Sequence, residues 1–190
     1  MAHGIVSLLD AASEQATRAL WAEMEMRYRL REAAQRVPWP HVSYHGAEDY
    51  AVARLAEPLR RVAAQTEPFT VSVTGLGGFE APAPVLYLAV ARNAALDALH
   101  AALWRELEGA DDLAQGASPL YVAGSWQPHI TLAQHDLTLE ALRAIQAAWA
   151  GRDLRRRVWV DNLALLYRSA GATAHQPLLR CSLGSAAAGD

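Results

Sequence analysis

Two short stretches of the chain, Trp39–Gly46 and Trp126–Ala133, carry the same pattern of residue types. Each has a tryptophan, a proline, and then His-x-Ser or His-x-Thr inside an apolar run. Residues i and i+2 of a β-strand point to one face, so each histidine would share a face with its hydroxyl residue. The two pairs are His41 with Ser43, and His129 with Thr131. Because an imidazole exchanges protons near neutral pH and a hydroxyl donates hydrogen bonds, each face could do acid–base chemistry.

The residues around the motifs predict strands and helices in alternation. Short apolar runs are typical of strands, and apolar residues at every third or fourth position are typical of amphipathic helices. The predicted strands are Gly4–Leu9, His41–His45, Phe69–Thr74, Val85–Val90, His129–Ala133, Arg157–Tyr167 and Leu178–Leu183. The predicted helices run from a cap at Ser13 to before Pro38, from Asp49 to Gln65, from Leu96 to Gly109, and from a cap at Thr138 to Gly151.

Several irregular features are also predicted from residue type. Pro58 predicts a kink or a break in the second helix, and Gly75–Phe79 predicts a turn. Alternation fails at Asp161–Asn162, which predicts a bulge within one long strand. Residues 110–125 are expected to form a polar loop, and residues 184–190 a frayed tail.

The order of predicted elements occurs twice, as strand, helix, motif strand, helix and strand hairpin. We therefore predict a single α+β domain of two pseudo-symmetric lobes, at about residues 4–90 and 85–183. Two antiparallel-rich sheets would face a central cleft, with the helices on the outside. His41 and His129 would then lie on opposite walls of the cleft. A chance coincidence of α+β patterning is the alternative.

The composition excludes several classes of protein. The chain has 190 residues and is 52% hydrophobic, which allows a sizeable core and argues against disorder. A net charge of −3 does not provide a broad basic surface for duplex nucleic acid. The single cysteine, Cys181, excludes an internal disulfide and a cysteine-based zinc site. With no signal-like start and no run long enough to span a bilayer, a cytoplasmic location is expected.

The chain resembles the 2H phosphoesterase superfamily, and most nearly its RNA 2′,3′-cyclic phosphodiesterase or 2′-5′ RNA ligase-like branch. The resemblance rests on the paired His-x-Ser/Thr strands, the proline before His129, and the Gly-Leu-Gly-Gly-Phe run between the motifs. It covers roughly Ile5 to Leu183, and Pro128–Leu132 is its most specific part. It implies a bilobal α+β fold in which the two motifs face each other across a groove.

The resemblance also implies an activity: hydrolysis of 2′,3′-cyclic phosphodiester ends of RNA or nucleotides to a 2′-phosphate. By resemblance, His41 and His129 are the catalytic pair, and Ser43 and Thr131 bind the phosphate. We expect His129 to be the general base and His41 the general acid. No cofactor is expected. No carboxylate or cysteine is spaced to complete a metal site with the motif histidines, which argues against metal binding.

Other residues are possible substrate contacts. The family often has an arginine just after the second motif, where this chain has Gln134. On a straight strand, His45 would share the face of His41 and supply a cation or tune the pKa of that histidine. Phe79 and Trp126 could stack on a base, with a turn position and a core position as their respective alternatives. Surface or structural roles are predicted for the remaining histidines: His3, His100, His135 and His175.

Alternative functions keep the same residues. The fold could hold a nucleotide or an RNA end without turnover, and Gln134 and the absence of a broad basic surface favour that possibility. Two complete motifs favour an enzyme instead. A 2′-5′ RNA ligase or an enzyme acting on another cyclic nucleotide is a further alternative. The expected partners are RNA ends or small cyclic nucleotides, and the protein is expected to be a monomer that does not bind membranes.

Overall fold

The computed structural model describes residues 3–109 and 112–184, in which strands and helices alternate. The strands are β1 (His3–Leu8), β2 (His41–Ala47), β3 (Asp49–Tyr50), β4 (Phe69–Phe79), β5 (Val85–Ala91), β6 (Ala114–Gln115), β7 (His129–Gln134), β8 (Arg156–Val160), β9 (Asn162–Tyr167) and β10 (Gln176–Ser182). The helices are α1 (Ala11–Tyr28), α2 (Glu32–Arg36), α3 (Val52–Ala64), α4 (Ala94–Glu108) and α5 (Leu139–Ala148), with a 3₁₀ turn at Pro119–Tyr121.

Two four-stranded sheets organise the fold, with strand orders β10-β9-β1-β2 and β7-β5-β4-β8. All neighbouring strands are antiparallel. The two motif strands, β2 and β7, each lie at the edge of their sheet. The short strands β3 and β6 form a separate pair. The predicted α+β class with antiparallel sheets is therefore confirmed.

The sheets do not follow the two halves of the chain. The first sheet combines β1 and β2 with β9 and β10, whereas the second takes all its strands from residues 69–160. The predicted lobe boundaries, at about 4–90 and 85–183, consequently do not coincide with the sheets. An internal duplication stays a prediction. Of the predicted tail, only Gly184 is among the described residues, and residues 110–111 of the predicted loop also lie outside them.

The predicted long strand from Arg157 to Tyr167 is instead two strands in different sheets. β8 pairs with β4, and β9 pairs with β1 and β10. The side chain of Asn162 accepts a hydrogen bond from the Leu8 N–H at 3.0 Å and donates one to the Leu8 carbonyl at 2.9 Å. These bonds bind the start of β9 to β1, so the chain crosses from one sheet to the other at Asp161.

The predicted turn at Gly75–Phe79 is wrong, because β4 continues through these residues and pairs with β5. The glycines make room for neighbouring side chains. A Cβ at Gly77 would collide with the ring of Tyr87, and a Cβ at Gly78 would lie 2.9 Å from Leu142 Cδ1. The connection to β5 falls at residues 80–84 instead.

The helices differ from their predicted bounds at three points. Asp10, not Ser13, caps α1 by accepting a hydrogen bond from the Ser13 N–H at 3.0 Å. The predicted helix to Pro38 is two helices, because Arg29 adopts a left-handed conformation (φ 63°) and ends α1. α3 continues through Pro58 without a break, and it begins only at Val52 because residues 49–50 pair with β6.

A large apolar cluster fills the space between the sheets and helices, with buried members from both sheets. α1 packs on β7 and β8, α3 on β9 and β10, α4 on β2 and β4, and α5 on β4. This packing holds the two motif strands in a fixed relative position. None of the described helices is long and apolar enough to cross a membrane.

Candidate active site

A cavity of about 240 Å³ lies between the two motif strands. His41 and Ser43 of β2 and His129 and Thr131 of β7 all line it. Strand alternation predicted that each histidine shares a face with its hydroxyl residue. The structure brings these two faces, with their four side chains, to one cavity. The two motifs are 88 positions apart in sequence, so only the tertiary fold places them on one cavity.

A β-bulge in β2 changes which later residues face this cavity. Tyr44 is one extra residue relative to β1, and such a bulge reverses the faces of the side chains beyond it. His45 consequently lies in the core, 2% exposed, with its Nδ1 2.6 Å from the Tyr50 hydroxyl oxygen. His45 is not among the residues that line the cavity. The prediction that it shares the face of His41 is wrong, because it assumed a straight strand.

β7 carries the same irregularity at the same place. Leu132 is the extra residue relative to β5, so Ala133 turns into the core. The next residue, Gln134, returns to the cavity, as Gly46 does in β2. Gln134 thus lines the cavity because of the bulge, since straight alternation from His129 and Thr131 would place it on the opposite face.

The two motif histidines are oriented by equivalent hydrogen bonds. His41 Nδ1–H donates to the Trp39 carbonyl at 2.5 Å, and His129 Nδ1–H donates to the Gln127 carbonyl at 2.7 Å. A carbonyl oxygen can only accept, so the proton of each neutral ring is on Nδ1. Nε2 of each ring is then the atom that can take up and release a proton.

Burial favours the neutral form of both rings. It lowers the pKa of His41 to about 4; the hydrogen bond to Trp39 opposes this shift, and the proximity of His129 and His175 adds to it. Burial also lowers the pKa of His129, against the opposing effect of its bond to Gln127. A bound anion would favour the protonated forms and raise both pKa values.

Two tryptophans brace the motif strands. The outer backbone groups of an edge strand have no partner strand to bind them. Trp126 Nε1–H donates to the Ser43 carbonyl at 2.9 Å, and Trp21 Nε1–H donates to the Thr131 carbonyl at 3.0 Å. Each brace comes from outside the sheet that it supports, since Trp21 lies on α1 and Trp126 just before β7. The Trp126 bond thereby ties Ser43 to the segment before β7, and the Trp21 bond ties Thr131 to α1.

A second, mostly apolar pocket of about 240 Å³ adjoins the cavity. Phe79 and Trp126, the two predicted stacking residues, both line it, together with Pro82. Trp126 is only 3% exposed, and its ring stacks on His100 at a centroid distance of 4.0 Å, so it is chiefly a core residue. His129 lines both pockets.

Two tyrosines near the motif residues were not predicted from the sequence to belong to the site. Tyr87 of β5 has its ring centroid 5.0 Å from that of His129, and the Phe79 ring, 4.5 Å from that of Tyr87, lies 5.3 Å from the same imidazole. Burial raises the pKa of Tyr121, from the 3₁₀ turn, and the Ser43 side chain opposes this shift. Tyr121 packs where a side chain at Gly46 would be. Gly46 therefore makes room for an aromatic side chain in the site.

Three histidines predicted to have surface or structural roles also line the cavity: His3, His135 and His175. His100 does not. None of the described residues that line the cavity is an arginine, aspartate or glutamate, and the chain contains no lysine. Among the described lining residues, histidine is the type that can carry a positive charge. Within residues 3–109 and 112–184, no group of three or more His, Cys, Asp or Glu side chains could hold a metal ion.

This fold and the paired motifs define a phosphoesterase of the 2H class. A family model described as the 2′-5′ RNA ligase superfamily matches residues 10–172. The chain therefore belongs to the 2′-5′ RNA ligase superfamily, whose members are 2H phosphoesterases.

Individual relatives agree with this assignment. The chain is 28% identical over 132 residues to GK0864 of Geobacillus kaustophilus, which is named as a candidate phosphoesterase; the match covers 68% of this chain and 70% of the relative. Among solved structures, TT0787 of Thermus thermophilus is similar with a TM-score of 0.67 and 17% identity, covering 97% and 98% of the two chains. LigT of Escherichia coli is similar with a TM-score of 0.59 and 16% identity, at the same coverage.

Proposed function

We propose that this protein is a metal-independent phosphodiesterase that hydrolyses 2′,3′-cyclic phosphodiester ends of RNA or nucleotides to a 2′-phosphate. The observation that carries the proposal is the matched orientation of His41 and His129. Each commits Nδ1–H to a carbonyl two residues earlier, and both rings line one cavity. Two such imidazoles can act as general base and general acid on opposite sides of a phosphorus atom.

In the proposed reaction, one neutral imidazole takes a proton from water through Nε2 as the water oxygen bonds to phosphorus. The other imidazole, protonated, gives its proton to the ribose O3′ as the P–O3′ bond breaks. Because burial lowers the pKa of both histidines, the phosphodiester anion would help to stabilise the proton that the acid donates. The order with His129 as base and His41 as acid stays a prediction.

The other motif residues suit a singly charged substrate. The hydroxyls of Ser43 and Thr131 would donate hydrogen bonds to the non-bridging oxygens, where negative charge develops. Gln134 offers a neutral amide at the cavity where the family often has a cation. Neutral donors suit a cyclic phosphodiester, which carries one charge, and the apolar pocket beside His129 could receive the base against Phe79.

Nucleotide complexes of a relative support this class of ligand. LigT of Escherichia coli has been crystallised with phosphate, 3′-AMP, ATP and NADP+. We extend nucleotide binding to this chain by proposal, with the reacting phosphate between the motif histidines. A monomeric state and a cytoplasmic location also stay predictions.

The decisive experiment is hydrolysis of a short RNA ending in a 2′,3′-cyclic phosphate, with EDTA present, by the wild type and by His129→Ala. We expect turnover by the wild type, a 2′-phosphate product, and loss of turnover in the variant. The unfolding temperature of the variant shows whether its fold is intact. Turnover that persists in a folded variant, or that disappears with EDTA alone, would contradict the proposed mechanism.

A binding module for nucleotides or RNA ends is the second candidate, favoured by a cavity wall without arginine and by neutral histidines. The same experiment separates the two, because a binding module retains the cyclic RNA without releasing product. A ligase or an enzyme for another cyclic nucleotide is separated by supplying a 2′-5′-linked dinucleotide or a different cyclic nucleotide as the substrate.

A further inference from the structure

The cavity contains more histidine than the proposed reaction uses. Besides the motif pair, His3, His135 and His175 line it, and they come from three separate parts of the chain. His3 begins β1, His135 directly follows β7, and His175 directly precedes β10. The fold thus gathers three further imidazoles beside the site where the phosphodiester would react.

His175 and His135 are both placed beside α2. The backbone N–H and the Nδ1–H of His175 donate to the Arg36 carbonyl, at 2.8 and 3.2 Å. His135 has a left-handed backbone (φ 72°) at the end of β7, and its pKa responds to the charges of Arg36 and Glu32 at the two ends of the helix. α2 therefore forms one wall of this part of the cavity.

His3 is held in a defined tautomer and orientation. Its Nδ1 accepts a hydrogen bond from the Arg168 N–H at 3.1 Å, so the neutral ring carries its proton on Nε2. Its ring stacks on Tyr167 at 3.9 Å, and its centroid is 5.7 Å from that of His175. His3 is therefore a hydrogen-bond donor to a ligand even without a positive charge.

His175 and His3 continue a row that begins at the motif pair, and His135 lines the same cavity. His41 interacts electrostatically with both His129 and His175, and His175 in turn with His3. A ligand phosphate between His41 and His129 would therefore have imidazole donors extending away from it on one side. An oligonucleotide places its next phosphate beyond the first along a continuous chain, which suits such a row.

We propose that His3, His135 and His175 form a second phosphate subsite, which binds the internucleotide phosphodiester adjoining the reacting cyclic phosphate. This inference rests on the proposed function and narrows its substrate class to RNA ends of at least two nucleotides. His3 would donate through Nε2–H in its neutral form, whereas His175, whose Nδ1–H donates to the Arg36 carbonyl, would donate a further hydrogen bond only as an imidazolium. A phosphate so held would position the terminal cyclic phosphate between His41 and His129.

Charged neighbours set how this subsite depends on pH. Burial, chiefly, and the nearby His175 and Arg168 lower the pKa of His3, whereas Asp49 raises it. Burial, chiefly, and Arg36 lower the pKa of His135, whereas Glu32 and Asp136 raise it. Since an imidazolium binds phosphate more tightly than a neutral ring, the subsite should contribute more at about pH 5.5 than at about pH 8.

The test compares three substrates with the same terminal nucleoside 2′,3′-cyclic phosphate. The first is the mononucleotide, the second a dinucleotide with a normal phosphodiester, and the third the same dinucleotide with an uncharged methylphosphonate linkage. We expect the wild type to prefer the charged dinucleotide over the uncharged one in kcat/KM by about tenfold, the size of one hydrogen bond to a charged group.

The variants are His3→Phe, which keeps the ring stacked on Tyr167, and His135→Asn, which tolerates the left-handed backbone. His135 is exposed, so its replacement does not threaten the core even if His3→Phe unfolds. We expect each folded variant to reduce the preference for the charged linkage, and to lower dinucleotide turnover more than mononucleotide turnover. No preference in the wild type, or a preference unchanged in the variants, would overturn the subsite while leaving the proposed function intact.

If the wild type hydrolyses none of the three, the proposed function fails and the subsite is tested by binding. The probes are then the two dinucleotides with a terminal 3′-phosphate, titrated by calorimetry. Tighter binding of the charged linkage, weakened by His135→Asn, would support the subsite independently of catalysis. Equal affinities for the two linkages would reject it.

Discussion

β2 and β7 belong to different sheets but position their side chains by the same means. Each lies at a sheet edge and has a bulge directly after its hydroxyl residue. Each orients its histidine through a carbonyl two residues earlier. In each, the carbonyl of the hydroxyl residue accepts a hydrogen bond from a tryptophan N–H. These shared features all fix the imidazole and hydroxyl of the motif. The two strands are therefore alike at the positions where the proposed chemistry needs two equivalent proton-transfer groups.

The strands differ beyond the bulge and around the imidazoles. Gly46 of β2 admits Tyr121, whereas the equivalent Gln134 of β7 places its own amide at the cavity. His41 adjoins the histidine side of the cavity through His175, whereas His129 lies against aromatic rings. The two strands therefore share the contacts that orient the reacting groups and differ in the residues that would recognise the rest of a ligand.

The largest expected effect tests whether the two strands contribute equally to the reaction. His41→Ala and His129→Ala should each lower kcat by about 10²–10⁴-fold, the usual contribution of one acid or base. The double variant should lose little more, because groups that act as a unit are not additive. Single-turnover hydrolysis of a cyclic-ended RNA measures all three. If both single variants fold but one loses far less kcat than the other, the motifs are not equivalent.

The next prediction concerns the free energy of unfolding, because β2 buries a histidine at the position where β7 has an alanine. His45 is the counterpart of Ala133, and burial, with a smaller contribution from His100, lowers its pKa to about 4. In the unfolded chain His45 has a pKa near 6.5, so as the pH falls it is protonated there before it is protonated in the folded protein. The free energy of unfolding is therefore unaffected above about pH 6.5 and decreases as the pH falls toward 4. One such group corresponds to roughly 3 kcal/mol over this window.

Urea unfolding of the wild type and of His45→Phe at several pH values measures this cost. The variant keeps an aromatic ring beside Trp104, whose centroid lies 4.7 Å from that of His45, and removes the titrating group. Its stability should therefore fall less steeply with acid, even if it is lower at neutral pH because the Tyr50 hydroxyl loses its partner. Parallel acid profiles would mean that His45 does not titrate as its burial implies.

His45 also shows what a sequence can and cannot predict here. The motif faces were predictable because His41 and Ser43 lie before the bulge, where the alternation of a strand is a local rule. The face of His45 was not, because the bulge exists only in the pairing of β2 with β1. The same limit applies to β9, whose place in the first sheet depends on bonds between Asn162 and Leu8.

The outer parts of the site were hidden for a related reason. Tyr121 comes from a segment predicted to be a polar loop, and its position depends on the missing side chain of Gly46. His3 and His175 are isolated in sequence and meet only because β1, β9 and α2 bring them together. Residue type and spacing thus identified the reacting groups, whereas the groups around them depend on contacts between distant segments.

A smaller effect is expected from the tryptophan braces, which act as positioning residues. Trp21→Phe and Trp126→Phe each remove one N–H donor to a motif carbonyl, a bond worth about 1 kcal/mol, or roughly a fivefold loss in kcat. Trp126→Phe should also raise KM, because Trp126 lines the apolar pocket. Steady-state kinetics separate the two parameters. A fall in stability with kcat unchanged in both variants would show that the braces support only the fold.

The smallest expected effect comes from adding a charge at Gln134, whose counterpart in β2 is Gly46. Gln134→Arg places a cation beside a cavity whose described lining residues include no aspartate or glutamate, so KM for a cyclic phosphodiester should fall by about twofold to fivefold, and less at high salt. Gln134→Met, of similar length but uncharged and without the amide, is the matched control and should not improve KM. The equivalent change in β2 is not available, since a Cβ at Gly46 would lie 2.7 Å from the Tyr121 ring. If Gln134→Arg instead raises KM as Gln134→Met does, the amide of Gln134 is a direct ligand contact, and this position of β7 is adapted to a neutral donor.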